Sequence, residues 1–83
     1  MKKFFESEKI YNEDLERYEK ITIYELTKEE LKGCEDLIGY DLGDYFDIDL
    51  RHYPVMPGAW YTVTDIEING GFLIVKEYTA LNV

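Results

Sequence analysis

Residues 60–79 read WYTVTDIEINGGFLIVKEYT, and this stretch decides the fold. Both of its halves are rich in β-branched and aromatic residues, which favour strands. Between them stands Asn69-Gly70-Gly71, and Asn and Gly accept the positive φ angles that tight hairpin turns require. The sequence therefore predicts an antiparallel hairpin with one strand over residues 60–68 and the other over residues 72–79.

The register of this hairpin stays open at the level of sequence. A two-residue loop places Ile66 and Ile68 on one face with Leu73, whereas a three-residue loop bulged at Gly71 places them with Ile74. Either register gives the hairpin an apolar face. We expect most of the buried positions to come from four residues of the first strand: Trp60, Val63, Ile66 and Ile68.

Upstream of the hairpin, the sequence TKEE at residues 27–30 predicts the start of a helix. The Thr27 hydroxyl can accept a hydrogen bond from the Glu30 N–H while the Glu30 carboxylate reaches back to the Thr27 N–H, which is a capping box. Gly39 is placed to end this helix as its C′ residue. The apolar stripe expected to face the core consists of Leu31, Cys34, Leu37 and Ile38.

Three other stretches carry weaker signals. Residues 20–26, KITIYEL, predict a strand. Residues 45–53 alternate between apolar and polar side chains, which predicts a half-buried strand with an acidic outer face. Asn12 followed by two acids is typical of a helix start, so a short helix is predicted over residues 12–19. Residues 4–11 either extend that helix or pair as a strand.

Together these elements predict an α+β protein, a small single domain over residues 1–83. We expect an antiparallel sheet of about four strands with one or two helices packed on one face. The hydrophobic fraction of 46% and aromatic fraction of 16% are too high for a disordered acidic tail.

The charge of the chain is concentrated in residues 33–50, GCEDLIGYDLGDYFDIDL, which we call the acidic segment. It holds six acids and no Lys or Arg, so it carries −6 of the chain's formal −9. Its acids are Glu35, Asp36, Asp41, Asp44, Asp47 and Asp49. Tyrosines, which are favoured interface anchors, accompany them at Tyr40, Tyr45 and Tyr53.

The predicted strand gives this charge a definite geometry. Asp47 and Asp49 would lie ~6.5–7 Å apart on its outer face. A row of carboxylates at such intervals can imitate the phosphates of a nucleic acid and enter a basic groove built for them. The partner-binding residues predicted from sequence are therefore the six acids and the three tyrosines.

Catalytic and metal-binding patterns are not found. Cys34 is the only cysteine and is predicted to be a small buried residue, and His52, the only histidine, is predicted to lie at a sheet edge. The glycines lack the spacing of a phosphate loop, and neither a zinc pattern nor a calcium loop is present. We therefore predict a protein that is not an enzyme and uses no cofactor or metal.

In size, acidity, tyrosine content and lack of catalytic groups, the chain is similar to the small acidic inhibitors that bacteriophages encode against host defences, the anti-CRISPR and anti-restriction proteins. This likeness of class implies a non-enzymatic protein inhibitor that acts as a nucleic-acid mimic. Its partner would be a basic nucleic-acid-binding protein of the host. The acidic balance argues against direct binding to nucleic acid or to an anionic membrane.

Two other functions stay open. One is a structural or regulatory module that self-associates, as a homodimer for example, by docking through sheet edges, with the acids serving solubility. The other is a small enzyme or cation-binding domain that uses His52 and the Asp cluster. No apolar run is long enough for export or for spanning a membrane, so a cytoplasmic location is expected.

Overall fold

The computed structural model describes residues 1–50 and 56–82. It confirms the α+β class, with an antiparallel five-stranded sheet and two helices. The elements in chain order are β1 (Lys2–Glu6), β2 (Ile10–Asn12), β3 (Arg17–Glu25), α1 (Lys28–Cys34), α2 (Gly39–Tyr45), β4 (Trp60–Asn69) and β5 (Phe72–Leu81). Neither helix is long and apolar enough to cross a membrane, as far as the described residues extend.

The sheet has the order β1-β3-β5-β4, and β2 also pairs with β3. One edge of β3 pairs along its full length with β5, so β1 and β2 share the other edge. On that edge, β1 pairs with residues 22–25 of β3 and β2 pairs with residues 17–19. The sheet is therefore four strands wide, with β4 at one edge and β1 and β2 at the other.

The β4–β5 hairpin has the two-residue loop. Gly70 and Gly71 have φ angles of 58° and 86°, and Asn69 pairs directly with Phe72. Two positive φ angles in succession are typical of the primed turns that match the twist of antiparallel strands. Ile68 consequently pairs with Leu73, which confirms the first register, and the alternative with a bulge at Gly71 is wrong.

The hydrophobic core lies between one face of the sheet and the two helices. Leu73 is fully buried at its centre, and Ile66 and Ile68 pack around it as half-buried residues. The buried residues of the hairpin are Leu73, Val75 and Ala80 of β5, so the expectation that most of them would come from the first strand is wrong. Val63, Ile66 and Ile68 are only half-buried, and Trp60 is 57% exposed. Each helix has seven residues and is ~10 Å long, whereas a ten-residue strand is ~34 Å long, so the helices cover only part of β4. The buried core residues of this cluster are Leu26, Cys34, Leu42, Leu73 and Val75.

The helix predicted over residues 12–19 is wrong, because β2 ends at Asn12 and β3 begins at Arg17. The Asn12 side-chain oxygen does accept a hydrogen bond from a later backbone N–H, that of Leu15, at 3.2 Å. This is the bond expected of a helix cap, but here it closes a turn between two strands. Glu16 then takes a positive φ of 51°, which directs the chain into β3 instead of into a helix.

The capping box of α1 is confirmed. The Glu30 N–H donates to the Thr27 hydroxyl at 3.1 Å, and the Thr27 N–H donates to the Glu30 carboxylate at 3.0 Å. The helix ends at Cys34, four residues earlier than the apolar stripe indicated. Ile38 is therefore 81% exposed, which contradicts its predicted burial. Gly39 has the positive φ of a helix terminus, 58°, but it begins α2 instead of ending α1.

Candidate protein-binding surface

The acidic segment folds as a turn, a short helix and a loop that returns along the helix. Residues 35–38 turn away from α1, α2 spans Gly39–Tyr45, and residues 46–50, which we call the return loop, lead back. The strand predicted over residues 45–53 is thus wrong as far as residue 50, since Asp47 takes a left-handed φ of 57°. The remaining positions of that prediction, with His52 and Tyr53, lie outside the described residues.

The alternation that suggested a strand is nevertheless present in the burial of the return loop. Phe46 and Ile48 are half-buried and Leu50 is buried, whereas Asp47 and Asp49 are exposed. Alternating burial arises here from a loop that lies along the edge of the core. The alternating pattern correctly predicted which side chains face solvent, but it predicted the wrong backbone conformation, a strand instead of a loop.

Backbone hydrogen bonds tie the return loop to α2. The Ile48 N–H donates to the Gly43 carbonyl at 2.8 Å, and the Asp47 N–H donates to the Asp44 carbonyl at 3.3 Å. Gly43 is buried, and a Cβ atom at this position would lie only 2.8 Å from the Ile48 carbonyl oxygen. Leu42, on the same helix, is part of the core. The helix and the return loop therefore form one packed unit that holds its carboxylates in place.

All six acids predicted as binding residues are exposed. Asp44, Asp47 and Asp49 line a shallow depression of about 320 Å³ together with Gly43 and Ile48. The structure thus brings three of the six acids together. The other three lie elsewhere along the segment, Asp41 in the first turn of α2 and Glu35 and Asp36 after α1.

The charges of this surface are largely uncompensated. In the part of the chain that the structure describes, the ion pairs do not involve five of the six acids: Glu35, Asp36, Asp41, Asp44 and Asp47. The described residues also contain no group of three or more His, Cys, Asp or Glu side chains that could hold a metal ion. What the arrangement offers chemically is a concentrated negative potential that would attract a basic surface.

Two of the three predicted tyrosines can be placed. Tyr40 is exposed in the first turn of α2, within the acidic segment. Tyr45 is also exposed, but its ring packs edge-to-face on Phe46 at 4.9 Å and its hydroxyl lies against Gly33 of α1. Tyr40 thus offers the freer ring, whereas Tyr45 links the two helices.

Ile38 is an exposed apolar residue of the acidic segment that sequence reasoning missed. It lies two residues before Tyr40 and is among the most exposed apolar side chains of the described chain. Its four-residue spacing from Cys34 fits a helical stripe, so periodicity assigned it to the core. Ile38 is exposed because α1 already ends at Cys34, and the sequence pattern did not predict this end.

Cys34 is a packing residue. Its side chain is fully buried, as predicted, and its Sγ lies 3.8 Å from the Leu31 carbonyl oxygen. Burial raises the pKa of the thiol, and the negative charge of Glu30 raises it further. Both effects disfavour the thiolate, so the residue is not suited to nucleophilic chemistry.

Comparison with known proteins gives no family for this chain: no family model matches it, and neither do the curated proteins or the solved structures.

Proposed function

We propose that this chain is a small acidic, non-enzymatic binding protein that occupies the nucleic-acid-binding groove of a basic protein through the acidic segment. The observation that carries the proposal is that Asp41 and Asp44 on α2 and Asp47 on the return loop are exposed and lie outside the ion pairs of the described residues. An inhibitor of the kind that bacteriophages encode against host defences would act in this way.

The geometry of the helix changes how mimicry would work. Side chains three residues apart on a helix, such as Asp41 and Asp44, are neighbours with ~5–6 Å between their Cβ atoms. The return loop adds Asp47 and Asp49 beside Asp44. The carboxylates form a compact cluster instead of the straight row expected of a strand. Competition with nucleic acid would depend on this charge density and on electrostatic steering towards a basic groove.

The neighbouring apolar groups would add affinity that charge alone does not supply. Tyr40 and Ile38 are exposed within the same segment. Aromatic and apolar side chains that become buried at an interface contribute most of its binding energy, whereas charges contribute more to the association rate and to specificity. The proposed contact is therefore an acidic surface with an apolar anchor.

The test uses the chain with a C-terminal tag as bait in a bacterial lysate, which leaves the N-terminal ammonium free to pair with Glu30. Asp41→Lys with Asp44→Lys reverses two carboxylates on one face of α2. We expect a basic nucleic-acid-binding protein to be retained by the wild type and lost with this double variant. Added duplex DNA or RNA should displace it, and retention should fall steeply as ionic strength rises.

The matched control is Glu13→Lys with Asp14→Lys, which makes the same change in net charge in the exposed turn between β2 and β3. It should retain the captured protein. A partner that binds both double variants equally, or one that binds nucleic acid and this chain at the same time, would exclude competition for a groove.

A further inference from the structure

The sheet has a second face on which neither helix packs. Both helices pack against the face that carries Tyr24, Leu73 and Val75. Because side chains alternate along strands, the residues between these positions point the other way. We call this second side the open face. Its apolar members, placed by the strand register, are Phe4, Phe5, Ile10, Ile21, Ile23, Tyr61, Val63, Phe72, Ile74, Tyr78 and Ala80.

A β-bulge in β1 adds an aromatic ring to the open face. The register of β1 against β3 shifts between Lys3 and Phe5, and Phe5 pairs with Ile23, which lies on the open face. Phe4 is the extra residue, and its ring lies 5.1 Å from that of Phe72 on the same face. Two consecutive phenylalanines, which would alternate in a regular strand, thus point to one side.

The open face exposes large apolar side chains to solvent. Phe4 is 63% exposed and Ile21 38% exposed, and a depression of about 370 Å³ lies among Phe4, Phe72 and Ile74. Large exposed apolar patches mark interaction sites in soluble proteins, which makes this face a candidate for one.

The open face is also nearly balanced in charge. Its three basic side chains, Lys2, Arg17 and Lys76, accompany four acidic ones, Glu19, Glu25, Asp65 and Glu67, so it carries −1 of the chain's −9. Lys76 lies 3.3 Å from Glu67 and Arg17 lies 2.9 Å from Glu19, so two of the basic groups are already paired. A strongly charged partner of either sign therefore finds few opposite charges on the open face, whereas a second open face of charge −1 meets only weak repulsion.

The size of the face suits a dimer. A ten-residue strand is ~34 Å long, and four strands spaced ~4.8 Å apart occupy ~19 Å. The product is ~650 Å² for each partner, or ~1,300 Å² for both, which is at the lower end of specific protein interfaces. This area fits an association that depends on concentration.

We propose that the open face binds the open face of a second copy of this chain, so that two sheets pack face to face. Aligned sheets in such sandwiches lie ~10 Å apart with interdigitating apolar side chains. The helices and the acidic segments then lie on the outer sides of the dimer, away from each other. This keeps the most negative surfaces apart when two chains of −9 associate.

The test is sedimentation equilibrium of the wild type from low micromolar to submillimolar concentration. The mean mass should rise from one chain to two. Added NaCl should strengthen the dimer, because it screens the repulsion between the chains and leaves the apolar contact intact. Phe4→Glu with Ile21→Glu would bury two unpaired charges in the interface, so the dimer should weaken by at least about tenfold, which corresponds to ~1.4 kcal/mol.

The matched control is Leu15→Glu with Ile38→Glu, which makes the same change in charge at exposed apolar residues away from the open face. Its dissociation constant should stay within about twofold of the wild type at the same salt, a difference well under 1.4 kcal/mol. Should the double variant of the open face fail to fold, backbone amide shifts of the wild type, followed by NMR against concentration, decide the question. They should change in β1, β3 and β5 and stay constant in α1 and α2.

Three results would overturn the proposal: a monomer at every concentration, a dimer that survives both substitutions on the open face, or amide shifts concentrated along the outer edge of β4. The last result would favour docking through a sheet edge.

Discussion

Replacing Gly43 by alanine adds one methyl group where α2 and the return loop lie close together. The new Cβ would lie 2.8 Å from the Ile48 carbonyl oxygen and 3.0 Å from Leu50 Cγ. Neither neighbour can move freely, since the Ile48 N–H is bonded to the Gly43 carbonyl at 2.8 Å and Leu50 is buried. The substitution therefore forces the return loop away from the helix.

The expected magnitude is the difference between two opposing effects. Overpacking of a well-packed site costs about 1–3 kcal/mol. Alanine regains up to about 1 kcal/mol of helix propensity, because Gly43 lies within α2. The net loss in the free energy of unfolding is about 1 kcal/mol, which lowers the melting temperature of a domain of this size by roughly 4–8 °C. Thermal unfolding followed by circular dichroism measures it.

Gly33→Ala is the contrasting control, because the same change in a helix meets a different neighbour. Here the new Cβ would meet the Tyr45 hydroxyl, the far end of an exposed side chain that can swing aside. Stability should stay constant or rise by up to about 1 kcal/mol. A Gly43→Ala protein that melts at or above the wild-type temperature would refute the close packing of α2 on the return loop.

The capping box of α1 supports two further predictions. Thr27→Ala should lower the free energy of unfolding by about 1 kcal/mol in urea titration, and an unchanged midpoint would contradict the cap. The hydrogen bond from the Thr27 N–H, together with the Met1 ammonium 3.0 Å away, lowers the pKa of Glu30 below its usual value of 4.5. A carboxyl group whose pKa is lower in the folded than in the unfolded state stabilises the fold at pH values above its unfolded-state pKa. This contribution is lost as the pH falls through its folded-state pKa. Wild type should therefore exceed Glu30→Gln in stability at pH 7, and a difference that persists in strong acid would contradict this assignment.

The parts of the fold that sequence reasoning predicted correctly are determined by short-range contacts. The turn at Gly70-Gly71 requires positive φ at both positions, and the capping box joins two residues three positions apart. Each feature needs only its own few residues, so a local pattern suffices. The choice between the two hairpin registers needed the rest of the sheet, because both gave an apolar face.

The errors arose where tertiary pairing decided between alternatives that look alike locally. Asn12 makes the side-chain bond of a helix cap, but residues 17–25 pair along their full length with β5, and this pairing makes the segment a strand. Ile38 has the spacing of a core residue and is exposed because α1 ends at Cys34. In both cases the local chemistry was identified correctly, and a longer-range contact determined the structure.

The distribution of charge separates the two proposed interfaces physically. The acidic segment carries −6 and the open face −1. Both helices, including α2 with its carboxylates, pack on the side of the sheet opposite to the open face. Binding through the acidic segment should weaken with salt, because it depends on attraction between opposite charges. Association through the open face should strengthen with salt, because only repulsion between the chains is screened. A salt titration of each equilibrium therefore tests each proposal by itself: failure of the open face to dimerise leaves groove binding intact, and loss of the basic partner leaves the dimer intact.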